Sequence, residues 1–386
     1  MVGASWPGRG AGGSDRWRTD GAGASPHSGP MPVMPPASSA TGQPQAVTPL
    51  VRHDEPSPGA RRRDGPGGVR SASALPVGSR CRIELHIELN YDIVAPEVDF
   101  IFKIHAAETA CQAVVQERLL VSQPVEPEVW TEPGTGQRSM RLTALSGVLR
   151  IEYDLVVDLV HRHDDPSALA EMPVRLLPPE VLTYLYPSRY CQSDRLLALA
   201  TAEFGHLPRG YQRAVAIRDW VHAKVRFKSA SSDSTTSAID TLIERVGVCR
   251  DFAHLMIALC RAVNLPARFA TGTDYGADPS LGPPDFQAYV EVYVGSRWTI
   301  FDPSGTAIPM GFVRLATGRD AADVAFATIF GSVRSRAPVI RSHALDDAAH
   351  GYVLPHHDQR ALSTDAGPAA RESPHAQPPA SAALPA

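Results

Sequence analysis

Gly247-Val248-Cys249-Arg250-Asp251-Phe252-Ala253-His254-Leu255-Met256-Ile257-Ala258-Leu259-Cys260-Arg261-Ala262-Val263 decides how the rest of the chain is read. Phe252, Leu255, Met256, Leu259 and Val263 recur at helical intervals, so the stretch predicts a helix with one apolar stripe and not a strand. Cys249 stands one turn before the stripe, directly after a permissive glycine and valine. A cysteine at a helix start lies near unpaired backbone N–H groups and the positive end of the helix dipole, and both favour thiolate. The expectation is therefore an accessible, thiolate-rich Cys249, with Cys260 in the core. The plainer reading of Cys249 is a small buried side chain.

Outward from this helix, composition sets bounds. The chain has 386 residues, 43% hydrophobic and 20% charged, enough for two folded domains plus loose ends. A formal net charge of −4 gives no global basic field, which argues against nucleic acid as the main partner. The run Arg61-Arg62-Arg63 lies among Pro and Gly and reads as a solvated segment. Cysteines at 81, 111, 191, 249 and 260 are widely spaced with no CxxC pair, so neither a disulfide scaffold nor a zinc ribbon is expected and a reducing compartment fits. No apolar signal region or membrane-length run is present, and the expectation is a soluble, cytoplasmic protein without membrane contact.

Residues 1–78 are rich in Gly, Pro, Ser and Arg and are expected to be a disordered leader. From Cys81 the texture becomes alternating, with Ile83, Leu85, Ile87 and Leu89 on one face. Further strand-like runs at 98–105, 109–120, 137–145 and 148–160 predict an antiparallel β-sandwich over 81–162. His161, His163, Asp164 and Asp165 end it and read as a solvated turn, not a metal site. A Pro-punctuated connection, 163–192, leads to helices at 194–204, 211–225 and 238–245, with a Ser/Thr-rich loop at 229–237. Beyond the opening helix come a strand at 267–273 and a Gly/Pro/Asp loop at 274–285. After 343 the composition predicts a disordered tail in which His350, His356 and His357 are solvated.

Residues 286–294 and 297–302 flank Gly295-Ser296 and predict a hairpin on a type II′ turn. Pairing 294 with 297 sets 289 opposite 302 and makes 287 the diagonal neighbour of 302 on the same face. Gln287 and Asp302 can therefore meet. With Cys249 they make the chain order nucleophile, base position, orienter.

These residues resemble a known family. Gly247-Val248-Cys249-Arg250-Asp251-Phe252-Ala253-His254-Leu255, Ala288-Tyr289-Val290-Glu291-Val292-Tyr293 and Trp298-Thr299-Ile300-Phe301-Asp302-Pro303 together resemble the bacterial transglutaminase-like superfamily, whose core is similar to that of papain-like cysteine proteases. The resemblance spans 190–305 and includes Tyr186-Pro187-Ser188-Arg189-Tyr190-Cys191. Residues 81–162 look like the N-terminal domain that often precedes that core. The implied fold is α+β: leader 1–78, β-sandwich 81–162, papain-like core 163–342 and disordered tail 343–386.

The resemblance implies a Cys-His-Asp triad acting on an amide through a thioester, with Cys249 as nucleophile and Asp302 as orienter. Gln287 breaks the pattern, standing where the family motif has histidine. A primary amide has no useful basicity near neutral pH, and a positioned general base contributes roughly 10²- to 10⁴-fold. His254 is a poor replacement, because five helical residues after Cys249 is about 140° around the axis. Glu291 shares the strand face of Gln287, but a carboxylate there is expected to pair with a cation. Three functions follow: a weakened cysteine-dependent amide hydrolase or acyl transferase, a catalytically degraded member that binds a peptide or protein in its groove, or a structural module with Cys249 merely buried. No cofactor or metal is implied. Loops 229–237 and 274–285 are expected to set selectivity.

Overall fold

A computed structural model describes residues 2–3, 80–273 and 275–364. The expected leader, apart from residues 2 and 3, and the tail beyond 364 lie outside them. Strand β1 (Arg80–His105) buries Cys81, Ile83, Leu85, Ile87, Leu89, Tyr91 and Ile93, all odd-numbered, and then Val98, Phe100, Phe102 and Ile104, all even-numbered. A period of two whose parity flips needs an extra residue, and the pairing register shifts between Ile93 and Glu97. The strand also folds back there. Eleven residues of extended chain span about 36 Å, yet the Tyr91 and Phe102 ring centroids are 6.0 Å apart.

The halves of β1 thus face each other across one core. Strand β2 (Gln112–Val121) pairs with one half of β4 (Arg138–Val160), β3 (Glu128–Thr131) pairs with the other, and β4 follows β1 along its length. The expected sandwich is therefore a single antiparallel sheet bent on itself, and the runs read as separate strands at 98–105 and 137–145 continue β1 and β4.

After β5 (Arg162–Asp164) the chain becomes helical: α1 (Leu197–Phe204), α2 (Tyr211–Lys224), α3 (Ala238–Glu244) and α4 (Cys249–Ala262). An antiparallel sheet follows, formed by β6 (Ala267–Thr273), β7 (Phe286–Val294), β8 (Arg297–Phe301) and β9 (Ala316–Gly318) in the order β8-β7-β6-β9. Every residue of α4 is buried, so helices cover the side that its apolar stripe leaves over. The hairpin register is the expected one, with Val294 opposite Arg297 and Val290 opposite Phe301. The turn differs. Gly295 and Ser296 both have positive φ, 57° and 63°, which is type I′ and not the expected type II′.

The boundary expected at 342 does not coincide with a structural one. Strands β10 (Ala327–Phe330), β11 (Val333–Ser335) and β12 (Val339–Leu345) return to the first sheet and cover the side of β1 that β4 leaves open, placing Ile329 opposite Phe100 and Ile340 opposite Ile87. An edge left bare along so long a strand would invite intermolecular pairing. Residues 346–364, expected as disordered tail, form a strap. Its strand β13 (Ala361–Ser363) pairs with β5, and Ser363 Oγ donates to the Trp298 carbonyl at 2.6 Å. The strap overturns the solvated-turn reading for His161, His163 and Asp164, whereas Asp165 is exposed as expected. His161 is 2% exposed, His163 lies 2.8 Å from Asp358, and Arg297 pairs with Asp164 at 2.5 Å. His350, His356 and His357 are exposed. Among the described residues, no group of His, Cys, Asp and Glu is arranged to hold a metal.

Candidate active site

Cys249 is the first residue of α4, and the turn before it is built by its neighbours. Asp251 Oδ2 accepts from the Val248 N–H at 2.8 Å, capping the helix start. Gly247 is needed for that arrangement: a Cβ there would stand 2.7 Å from Asp251 Cβ. Strand β8 pairs with β7 only as far as Phe301 opposite Val290, and the sulfur meets β7 beyond that point. Its thiol donates to the Phe286 carbonyl at 3.9 Å, and the Ala288 N–H donates toward it. The sulfur therefore straddles Gln287 from either side along the strand.

Burial pushes the Cys249 thiol up to about 12; the Ala288 N–H opposes the shift, while Asp285, Asp302 and Asp251 add to it. This corrects the expectation of an accessible thiolate. A helix terminus contributes about 0.3–1 kcal/mol, under one pKa unit, whereas burial shifts a thiol by several. Cys249 is 7% exposed, and the larger effect wins.

Gln287 is 3% exposed and donates from Nε2 to Ser304 Oγ at 3.1 Å and Thr306 Oγ1 at 3.0 Å. Asp302 receives Ser304 Oγ at 2.5 Å and the Ser304 N–H at 2.9 Å on Oδ1, and the Ala307 N–H at 3.0 Å on Oδ2. Gln287 and Asp302 thus come together as the register requires, but the Ser304 hydroxyl bridges them. Burial raises the Asp302 carboxyl above its ordinary value against the pull of these donors.

The two replacement bases are elsewhere engaged. His254 is stacked on Tyr190 with ring centroids 4.9 Å apart, and its Nε2 accepts from the Ala321 N–H at 3.2 Å. Burial holds it well below its ordinary pKa, so it is neutral. Glu291 is fully buried between Arg268, whose Nε lies at 2.6 Å, and Arg314. Burial alone would raise its carboxyl, yet the two guanidiniums keep it below the ordinary value.

Sequence reading missed Ser304, Thr306 and the two further carboxylates around the thiol, Asp251 and Asp285. The signal for Ser304 was present: Asp302-Pro303-Ser304-Gly305 is an Asx-turn sequence in which the carboxylate binds the backbone two residues on. Loops 229–237 and 275–285 meet, with Ser229 Oγ donating to the Leu281 carbonyl at 3.5 Å. Arg250 ties the first of them down through Ser232 Oγ at 3.0 Å and the Asp233 carbonyl at 2.6 Å. The two loops are rooted beside Cys249, at Gly247 through the Lys228 N–H and at Phe286.

Comparison with known proteins gives the following matches. The family model of the transglutaminase-like superfamily matches residues 199–303, and that of the bacterial transglutaminase N-terminal domain matches 82–180. A solved structure of a candidate cysteine protease from Cytophaga hutchinsonii is 39% identical with a TM-score of 0.68, over 74% of this chain and 97% of that one. An uncharacterised protein of Mycobacterium leprae is 26% identical over 31% of this chain and 44% of its own length. One of Mycobacterium tuberculosis is 30% identical over 27% and 37%. The chain thus spans less than half the length of these curated mycobacterial relatives.

Proposed function

The chain belongs to the transglutaminase-like superfamily, and from that membership we propose that its groove binds a peptide or protein segment without turning it over. The observation that carries this reading is Gln287 in the base position, with its amide nitrogen held by Ser304 and Thr306. Burial raises the Cys249 thiol above its ordinary pKa and so favours the protonated form near neutral pH. Loss of a general base removes a further factor of roughly 10²–10⁴. Neither His254 nor Glu291 is free to return a proton to a leaving amine, since both are committed elsewhere.

The second reading, a slow cysteine-dependent amide hydrolase or acyl transferase, is favoured by the seating of Cys249 on Phe286 and Ala288 and by the likeness to a candidate cysteine protease. An assay separates the two. Full chain and Cys249→Ala are incubated at pH 7.5 with fluorescein-labelled casein peptides and, separately, with those peptides plus a primary amine. The proposal expects binding with no Cys249-dependent release or amine incorporation; either product, lost in Cys249→Ala, would establish the second reading. For compartment we propose the cytoplasm, supported by Cys81, Cys191, Cys249 and Cys260 being buried thiols. Among the described residues, no helix is long and apolar enough to cross a membrane.

A further inference from the structure

Within the strap, residues 355–360 are a flap slung between two anchors. Upstream, the Val353 N–H donates to the Arg80 carbonyl at 2.8 Å and the Tyr352 hydroxyl to Asp158 at 3.2 Å. Downstream, β13 pairs with β5, and Thr364 Oγ1 accepts from Arg314 at 2.8 Å. Between these points His356, His357, Gln359 and Arg360 are exposed. Asp358, 2.8 Å from His163, ties the flap to the body, while the bonds from Arg360 to Asp358 and from His356 Nδ1 to the Leu354 carbonyl stay local. A short segment held at fixed ends by few contacts opens at lower cost than the sheets beside it.

Two imidazoles pack against the flap. His161 is 2% exposed, and both its ring nitrogens are buried without a partner among the described residues. The His163 ring stands 6.3 Å away. Burial holds both below their ordinary pKa; His163 and His356 also oppose protonation of His161, Arg360 opposes that of His163, and Asp358 favours both. The other charges nearby are paired, Arg297 of β8 with Asp164 at 2.5 Å and Arg218 with Asp219 on α2 at 2.6 Å. A charged imidazole with no acceptor is costly where it is buried, and lifting the flap gives it water. The flap also walls a cavity of about 350 Å³, which His222 of α2 lines from another side and which reaches Asp302. We propose that residues 355–360 are an acid-released gate: proton uptake at His161 and His163 lifts the flap between its anchors and opens this cavity onto Asp302. Groups whose pKa is depressed in the closed form stabilise it above their ordinary value near 6.5, and that stabilisation is lost as pH falls. The gate is therefore shut at neutral pH and opens below 6.5, whether or not the site turns a ligand over.

The test is hydrogen–deuterium exchange with mass spectrometry on the full chain from pH 7.5 to 4.5, each rate divided by the intrinsic rate at that pH. Exchange in the flap is expected to rise at least tenfold between pH 6.5 and 4.5, since each proton taken up on opening changes the ratio about tenfold per pH unit. The 83–89 segment of β1 is expected to stay protected, while the Ala307 amide, bonded to Asp302 across the cavity, gains exchange with the flap. His161→Phe is expected to remove most of the rise. Asp358→Asn, a surface change that loosens the tie to His163, is expected to speed flap exchange already at pH 7.5 and keeps the test open should the phenylalanine variant not fold. A flat profile in the parent, or a rise shared by 83–89, overturns the gate. So does an undiminished rise in a folded His161→Phe, or unchanged flap exchange at pH 7.5 in Asp358→Asn. A released flap with no change at Ala307 overturns its opening onto Asp302.

Discussion

At the scale of single residues the site turns on two side chains whose chemistry is set by what surrounds them. Cys249 has the helix-start position that favours thiolate, but burial beside three carboxylates outweighs it. Gln287 lies where the hairpin register puts it, and this much was legible: a two-residue turn fixes pairing, and pairing fixes neighbours. The bridging hydroxyl was not, because a hydrogen bond between residues 17 apart depends on how the loop after Asp302 closes. Gln287→His is therefore expected to place an imidazole against Ser304 Oγ, without direct contact with Asp302. Peptide hydrolysis in that variant should stay at least 10²-fold below the level gained by Gln287→His combined with Ser304→Gly, measured as kcat/KM on a fluorogenic amide. Equal activity in the two would mean that Asp302 reaches position 287 directly.

Among the elements, α4 and the strand it abuts carry the arrangement. Asp251 caps the start of α4 and pairs with Arg250, which in turn holds loop 229–237. Asp251→Ala removes the cap and leaves a guanidinium that is 4% exposed without its carboxylate, so a stability loss of roughly 3–5 kcal/mol is expected from the urea midpoint. The strap over β5 carries a pH dependence. Burial holds His161 down to about 3, with His163 and His356 opposing its protonation and Asp358 favouring it. A histidine whose folded pKa lies below its unfolded value near 6.5 supplies stability above 6.5 that is lost as pH falls toward the folded value. The expected loss is about 1.4 kcal/mol for each pH unit below 6.5. His161→Phe should flatten that slope between pH 6.5 and 4.5 in urea titrations; an unchanged slope would remove His161 from the account. The sequence showed a cluster of polar residues before a proline, and that local pattern carries no sign of a strap arriving from 200 residues further on.

For the whole molecule, the helix of Cys249, its flanking sheet and the alternating N-terminal strands were readable because each pattern is local. What was unreadable is non-local: the return of 327–345 to the first sheet, and the packing of 346–364 on the second. Even the bend of β1 was written as a change of parity between Ile93 and Val98, yet parity alone does not say that the two halves face each other. Ending the chain at residue 326, well past the last residue of the site, is accordingly expected to yield aggregating protein in size-exclusion chromatography, because the long β1 edge loses its cover. A soluble monomer would show that the return strands are dispensable. The claim on which the functional reading rests is that the assembled chain keeps its nucleophile position protonated. Alkylation of Cys249 by iodoacetamide, followed by mass spectrometry from pH 5 to 10 with Cys260 as the internal reference, addresses it most directly: a rate with no inflection below pH 10 and close to that of Cys260 is predicted, and a fast reaction at Cys249 with an inflection near neutral pH would contradict it.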